Sequence, residues 1–84
     1  MLYYLIVCRT LTRAQRTAAA LERTGILTRT LRSPKAISAE GCSHCVRIAP
    51  RDLDMALTVL HRAGLEPKRI FSAQNDGSYL ELEL

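Results

Sequence analysis

Two of the three cysteines of this 84-residue chain stand close together, in the stretch from Gly41 to Cys45. Only two residues separate Cys42 from Cys45, so their thiols could form a disulfide, bind a soft metal ion or share a transferable sulfur atom. Each of these reactions uses the thiolate, which nearby positive charge or a helix N-terminus stabilises. We therefore take Cys42 and Cys45 as the candidate catalytic residues. The alternative interpretation is an ordinary loop thiol at 42 and a small core residue at 45.

The composition predicts one globular domain over residues 1–84. The apolar fraction of 48% is ordinary, which excludes disordered and fibrous classes. The apolar N-terminal stretch has no basic residues before it and no cleavage site after it, which argues against a signal peptide. No apolar run has the length of a membrane span, and three cysteines do not suit a secreted disulfide framework. We expect a cytoplasmic protein with no membrane partner and no cofactor.

Charge is distributed unevenly along the chain. Residues 1–39 carry seven Lys and Arg and the single acid Glu22, whereas residues 40–84 carry five bases and seven acids. A basic half indicates attraction to an anionic ligand or to an acidic partner surface, and a solvated arginine-rich surface is the alternative.

Two segments 39 residues apart resemble each other, and both have apolar residues at helical spacing. Thr12 and Gln15 fit a capping box that would start the first helix, and Pro50 suits the first turn of the second. Gly25 and Gly64 fit the left-handed position after each helix end. The matched residues are Ala14, Ala18, Leu21, Arg23, Gly25 and Ile26 with Leu53, Leu57, Leu60, Arg62, Gly64 and Leu65.

The segments around these helices have the composition of strands. The predicted strands are 2–8, 27–32, 45–49, 69–73 and 79–84, and Asn75–Gly77 is a turn signal before the last of them. The order β-α-β-β-α-β with an extra C-terminal strand predicts an α+β fold, a ferredoxin-like plait with two helices on one face of an antiparallel sheet. Both faces of the first strand are apolar, so we predict that a homodimer or the C-terminal strand folding across covers the second face.

In this fold several chemistry-bearing residues meet at one end of the sheet. The first strand ends at Cys8 where the first helix starts, and the loop that holds Cys42 returns to the same end. Arg9, Thr12 and Arg13 would there stabilise an anion such as a thiolate or persulfide, together with the positive end of the helix. The second helix ends nearby and brings His61 into range.

These segments resemble the selenium/sulfur carrier-like family of small bacterial proteins over nearly the whole chain. Family members carry one loop cysteine, followed by glycine, just before the third strand, and Cys42 occupies that position. This chain differs because Ser43 replaces the glycine, the loop is about one residue longer, and Cys45 is additional. The similar stretches are Tyr4–Val7, Leu21–Ile26, Ser33–Pro34, Ile37–Ser38, Val46–Ile48, Asp52–Leu53 and Leu60–Leu65.

The resemblance implies a carrier of sulfur or selenium. Cys42 would take a sulfur atom from a donor protein, hold it as a persulfide and pass it to an acceptor protein, and Cys45 would resolve the product as a disulfide.

Three other functions compete with the carrier. One is thiol–disulfide redox chemistry of the Cys42–Cys45 pair. Another is zinc bound by Cys8, Cys42, Cys45 and His61, a set without motif spacing. The third is a binding module, for which nucleic acid is disfavoured because the third strand has no stacking aromatic residue.

Overall fold

The computed structural model describes residues 1–37 and 44–83, and in these residues five strands and two α-helices form one α+β unit. The sheet is antiparallel throughout, with the strand order β2-β3-β1-β4-β5. The predicted ferredoxin-like plait with an extra strand is therefore confirmed. The elements are β1 Tyr3–Cys8, α1 Leu11–Glu22, β2 Arg29–Arg32, β3 His44–Ile48, α2 Leu53–Arg62, β4 Arg69–Ala73 and β5 Tyr79–Glu81, with a 3-10 turn at Pro50–Asp52 before α2.

The C-terminal strand extends the sheet and does not fold across it, so that expectation is wrong. The turn before β5 contains Gly77 at φ +89°, a left-handed conformation that suits glycine. Such a turn returns the chain beside the strand it has just left, and the amide of Gly77 donates to the carbonyl of Gln74. As a result β5 pairs with β4, where Phe71 faces Glu81 across the two strands.

The helix ends show one correction and one confirmation. The first helix begins at Leu11, and its N-cap is Thr10, whose side chain accepts a hydrogen bond from the Arg13 amide at 3.1 Å. The capping box expected at Thr12 is therefore wrong by two residues, because the hydroxyl that lies in extended backbone before the helix is that of Thr10. Gly25 and Gly64 have φ of +87° and +69° and end their helices as predicted.

The main core lies between the sheet and the helices. Alternate residues of β1 face this layer, and fully buried residues of α1, α2, β3 and β4 complete it. The sheet register carries the pattern across the strands, since Ile6 faces both Val46 and Ile70. The buried members are Ile6, Cys8, Ala14, Ala18, Ala20, Leu21, Ile26, Val46, Ile48, Ala56, Leu60 and Ile70.

The opposite sheet face, which we call the open face, has its own buried cluster. Leu5, Val7, Cys45 and Phe71 form it, and Ile37, which follows β2 and is 4% exposed, packs with them. The chain thus covers apolar residues of this face with its own segment, which the sequence analysis did not foresee. The homodimer stays a prediction. It was expected to cover this face, and Ile37 already packs against part of it.

The helices of the described residues are short and amphipathic. None of them is long and apolar enough to cross a bilayer.

Candidate functional site

Three strand ends meet at one end of the sheet, where the loop between β2 and β3 leaves and returns. Cys8, at the end of β1, pairs with His44, the first residue of β3. Arg32, at the end of β2, pairs with the same histidine. Helix α1 starts three residues after Cys8, so its N-terminus lies at the end of the sheet where β2 ends and β3 begins.

The N-terminus of α1 makes this end of the sheet electropositive. Its first turn contains no acidic residue, and Arg9, Thr12 and Arg13 are all exposed around it. A helix N-terminus carries roughly half a positive charge together with amides that have no partner inside the helix. The two guanidinium groups add full charges, so this region can stabilise an anion such as a thiolate or a persulfide.

Cys42, the first candidate catalytic residue, lies outside the described residues, as does the rest of 38–43. The second candidate, Cys45, lies in β3 and is completely buried on the open face. Its Sγ is 3.1 Å from the Oγ of Ser33, which is itself buried. A thiol that solvent does not reach cannot attack an external substrate without a local rearrangement.

A pair of tyrosines lies on the same face as Cys45. Burial raises the pKa of the Tyr79 phenol, and the charge and hydrogen bonding of Tyr3 raise it further, with a smaller contribution from Cys45. The Arg47 guanidinium stacks over the Tyr3 ring at 4.2 Å from its centroid. The raised pKa keeps the Tyr79 hydroxyl neutral at physiological pH, so it adds no negative charge that would oppose a thiolate.

Cys8 occupies the opposite side of the sheet from Cys45. It belongs to the core under the helices, where its Sγ lies 3.8 Å from the carbonyl of Ile6 and 3.9 Å from the hydroxyl of Thr17. The structure therefore does not bring Cys8 and Cys45 together. Their strands are adjacent, since Cys8 pairs with His44 and Val7 pairs with Cys45. Side chains of adjacent strand positions point to opposite faces.

His61 belongs to no metal-binding cluster among the described residues. Its ring nitrogen Nδ1 lies 3.1 Å from a carboxylate oxygen of Glu66, and both side chains are largely exposed. Among residues 1–37 and 44–83, no group of three His, Cys, Asp or Glu side chains is arranged to hold a metal ion. Three of the four residues of the zinc alternative are therefore described and remain apart.

Two residues of this region were missed by sequence reasoning. Ser33 and Ile37 cover Cys45, yet the segment 33–37 has neither helical nor strand periodicity. The available signal was Ile37, a single apolar residue in a polar connection that follows an edge strand. The amide of Ile37 donates to the carbonyl of Pro34 at 3.1 Å, and this turn directs the side chain onto the sheet.

Comparison with known proteins supplies a family for this arrangement. Residues 3–72 match the family described as "Putative Se/S carrier protein-like". Neither curated proteins nor solved structures gave a match. The match runs from the start of β1 to the last residue but one of β4 and includes both ends of the cysteine loop. The chain belongs to the Se/S carrier protein-like family.

Proposed function

We propose that the protein is a sulfur or selenium carrier in which Cys42 holds the transferable atom and delivers it to a partner protein. The observation that carries this proposal is the burial of the other two cysteines, at 5% exposure for Cys8 and 0% for Cys45. A carrier cysteine has to meet the thiols of its donor and acceptor, so a residue enclosed in the core is unsuited to the role. By elimination, Cys42 is the carrier residue.

The covalent chain supports a location for Cys42 beside the positive helix end. Two peptide links join residues 42 and 44, so their Cα atoms lie at most about 7 Å apart. His44 pairs with Cys8, from which the chain reaches the α1 N-cap within two residues. The role we propose for Arg9, Thr12 and Arg13 is to favour the Cys42 thiolate with their charges and hydrogen-bond donors.

The loading step requires only an exchange between sulfur atoms. The Cys42 thiolate attacks the outer sulfur of a donor persulfide, a new S–S bond forms at Cys42, and the donor leaves as a thiolate. The proton of the Cys42 thiol goes to solvent when the thiolate forms. A persulfide is more acidic than a thiol, so the product is an anion that the helix N-terminus continues to stabilise.

Delivery proceeds in one of two ways, and Cys45 enters only the second. In the first, the acceptor's thiolate attacks the outer sulfur, which regenerates the Cys42 thiolate. In the second, the Cys45 thiolate attacks the inner sulfur, a Cys42–Cys45 disulfide forms, and hydrosulfide leaves. A dithiol reductant must then restore both thiols. Because Cys45 is covered by Ser33 and Ile37, this second route waits for that segment to move.

The test is the mass of the intact protein after anaerobic exposure to a persulfide donor, before and after addition of a reductant. We expect the wild type to gain one sulfur atom that the reductant removes, and Cys42→Ser to gain none. A selenium donor used in the same way measures whether the heavier atom is also accepted. The matched control is Cys8→Ala, which removes a thiol from the core and should load like the wild type.

The outcomes separate the carrier from its alternatives. Retained loading in Cys42→Ser would contradict the assignment of Cys42. A wild-type protein that forms a Cys42–Cys45 disulfide, together with a Cys45→Ala variant that gains no sulfur, would instead support thiol–disulfide redox chemistry.

A further inference from the structure

Three exposed arginines lie on β2 and β3, at the β2 edge of the sheet. Arg29 and Arg32 are exposed on β2, and the exposed Arg47 of β3 stands directly opposite Arg29. Within the described residues no carboxylate lies in ion-pair range of these three guanidinium groups. Like charges placed opposite each other on adjacent strands are destabilising, so the chain maintains this arrangement at some energetic cost.

Near the other edge of the same sheet, an arginine is paired with a carboxylate. There Arg69 of β4 donates two hydrogen bonds to the carboxylate of Glu81 on β5, at 2.8 and 2.9 Å. The same guanidinium lies over the Phe71 ring. Arg69 near β5 is thus paired with a carboxylate, whereas the arginines near β2 have no carboxylate in ion-pair range among residues 1–37 and 44–83. The sheet consequently has a positive edge and a neutralised edge.

The positive edge is also an edge in the hydrogen-bonding sense. β2 is the first strand in the order of the sheet, so in the described part of the chain it pairs with β3 on one side only. The main-chain groups on the other side of such a strand are available to an added strand. Its side chains suit this use, because Arg29 lies beside the half-buried Leu31 on the open face and Arg32 is exposed on the other face of the strand.

The edge leads directly to the candidate site. Arg32 ends β2 and pairs with His44, which is two residues from Cys42 along the chain. A strand added beside β2 would lie about 5 Å from it. Such a strand would place the protein to which it belongs at the end of the sheet where the cysteine loop leaves and returns.

We propose that the β2 edge is the docking site for an extended acidic segment of the protein that donates sulfur to Cys42 or accepts it. The inference rests on the proposed carrier function, which requires such a partner. Main-chain pairing with β2 would supply affinity, and carboxylates would supply charge complementarity and orientation by facing Arg29 and Arg47 on the open face or Arg32 on the helix face.

Charge and composition disfavour two other occupants. In a second copy of the chain, full pairing of β2 with β2 would place arginines opposite arginines, which is repulsive. Single-stranded RNA is recognised by stacking on exposed aromatic rings. Among the described residues of the open-face cluster, the aromatic ring beside Arg47 is that of Tyr3. The Arg47 guanidinium already stacks over this ring.

The test is an NMR titration of the isotope-labelled protein with a short blocked peptide that alternates Glu and Val. We expect saturable shifts of the amides of residues 29–32, and binding that weakens as salt is added. The double variant Arg29→Glu/Arg32→Glu should bind at least about tenfold more weakly, because glutamates on either face of the added strand would then meet a reversed charge. Two controls accompany it: the Arg62→Glu variant, which changes an exposed arginine on α2, and a peptide that alternates Lys and Val.

Each result decides the inference. Equal weakening by Arg62→Glu would reduce the effect to net charge and overturn a site at β2, as would equal binding of the Lys peptide. Tighter binding of a short RNA at the same amides would overturn the acidic segment as the occupant. The milder Arg29→Gln/Arg32→Gln variant repeats the test if the charge reversal unfolds the protein. Because the titration does not involve Cys42, its outcome is independent of persulfide loading.

Discussion

The hydroxyl of Ser33 lies 3.1 Å from the thiol of Cys45. This contact joins the segment after β2 to the central part of the open face, and Ile37 closes over the same cluster. Of the two catalytic candidates proposed from the sequence, Cys45 is therefore enclosed. Cys45 is a core residue whose thiol can react with an external partner only after Ser33 and Ile37 have moved. Its use therefore depends on a local opening of the structure.

Alkylation of the native protein should distinguish the three cysteines. We expect N-ethylmaleimide to react with Cys42 first, and with Cys8 and Cys45 only as the structure opens, because both are buried. In a Ser33→Ala/Ile37→Ala variant, Cys45 should react roughly tenfold faster, because the side chains that cover it are shortened. Peptide mapping by mass spectrometry measures the rate at each site.

Cys8 serves as the internal control of this experiment, since it lies on the helix side of the sheet. Equal acceleration at Cys8 would show that the variant has lost global stability instead of a local cover. Native Cys45 that reacts as fast as Cys42 would contradict the buried position described here.

Truncation of a core leucine should destabilise the fold strongly. Leu60 of α2 is fully buried in the core under the helices. Leu60→Ala removes buried methyl groups and leaves a cavity, so we expect a loss of about 2–5 kcal/mol in the free energy of unfolding. Leu80→Ala, at a side chain that is 59% exposed, is the matched control and should change little. Urea unfolding followed by circular dichroism measures both, and similar losses in the two variants would be inconsistent with this core.

The position of the α1 N-cap can be tested with two threonines. Thr10→Ala removes the oxygen that accepts the Arg13 amide, and we expect a loss of about 1 kcal/mol in stability. Thr12→Ala changes an exposed residue inside the first turn and should have a much smaller effect. The same urea experiment compares them. A larger loss at Thr12 would restore the capping box that the sequence suggested.

The ion pair between β4 and β5 predicts a pH dependence of stability. Hydrogen bonds from Arg69 lower the pKa of the Glu81 carboxyl in the folded state, while burial opposes them weakly. The pair therefore contributes stability above the carboxyl pKa of the unfolded chain, and this contribution is lost as pH falls through the lower folded value. Glu81→Gln should lower the urea midpoint slightly near neutral pH and leave it unchanged in strong acid.

Glu83→Gln is the matched control, because Glu83 is also an exposed acid of the C-terminal segment. A midpoint difference between the wild type and Glu81→Gln that persists unchanged into strong acid would exclude the ion pair as its cause.

The order of elements and the helix ends could be predicted because local signals determine them. Gly25 and Gly64 each occupy a left-handed position that other residues rarely adopt, and periodicity identifies both helices. The start of α1 was misplaced because Thr10 and Thr12 are both capable caps. Backbone conformation selects Thr10, and the sequence does not contain that information.

The cover of the open face could not be predicted, because it depends on long-range packing. The side chain of Ile37 packs in one cluster with Leu5 of β1 and Cys45 of β3, so its burial depends on the assembled sheet. The position of β5 in the sheet likewise depends on contacts with another strand. Its alternating Leu and Glu residues suit a strand, but only the turn at Gly77 and pairing with β4 decide that it extends the sheet.

The most direct test of the account is whether Cys42 alone suffices to carry the transferable atom. In a Cys8→Ala/Cys45→Ala variant Cys42 is the sole cysteine, and both substitutions lie at buried positions that tolerate a small apolar residue. After exposure to a persulfide donor, its intact mass should rise by one sulfur atom, and an acceptor thiol should remove that atom. A folded variant that gains no sulfur would contradict the carrier role of Cys42.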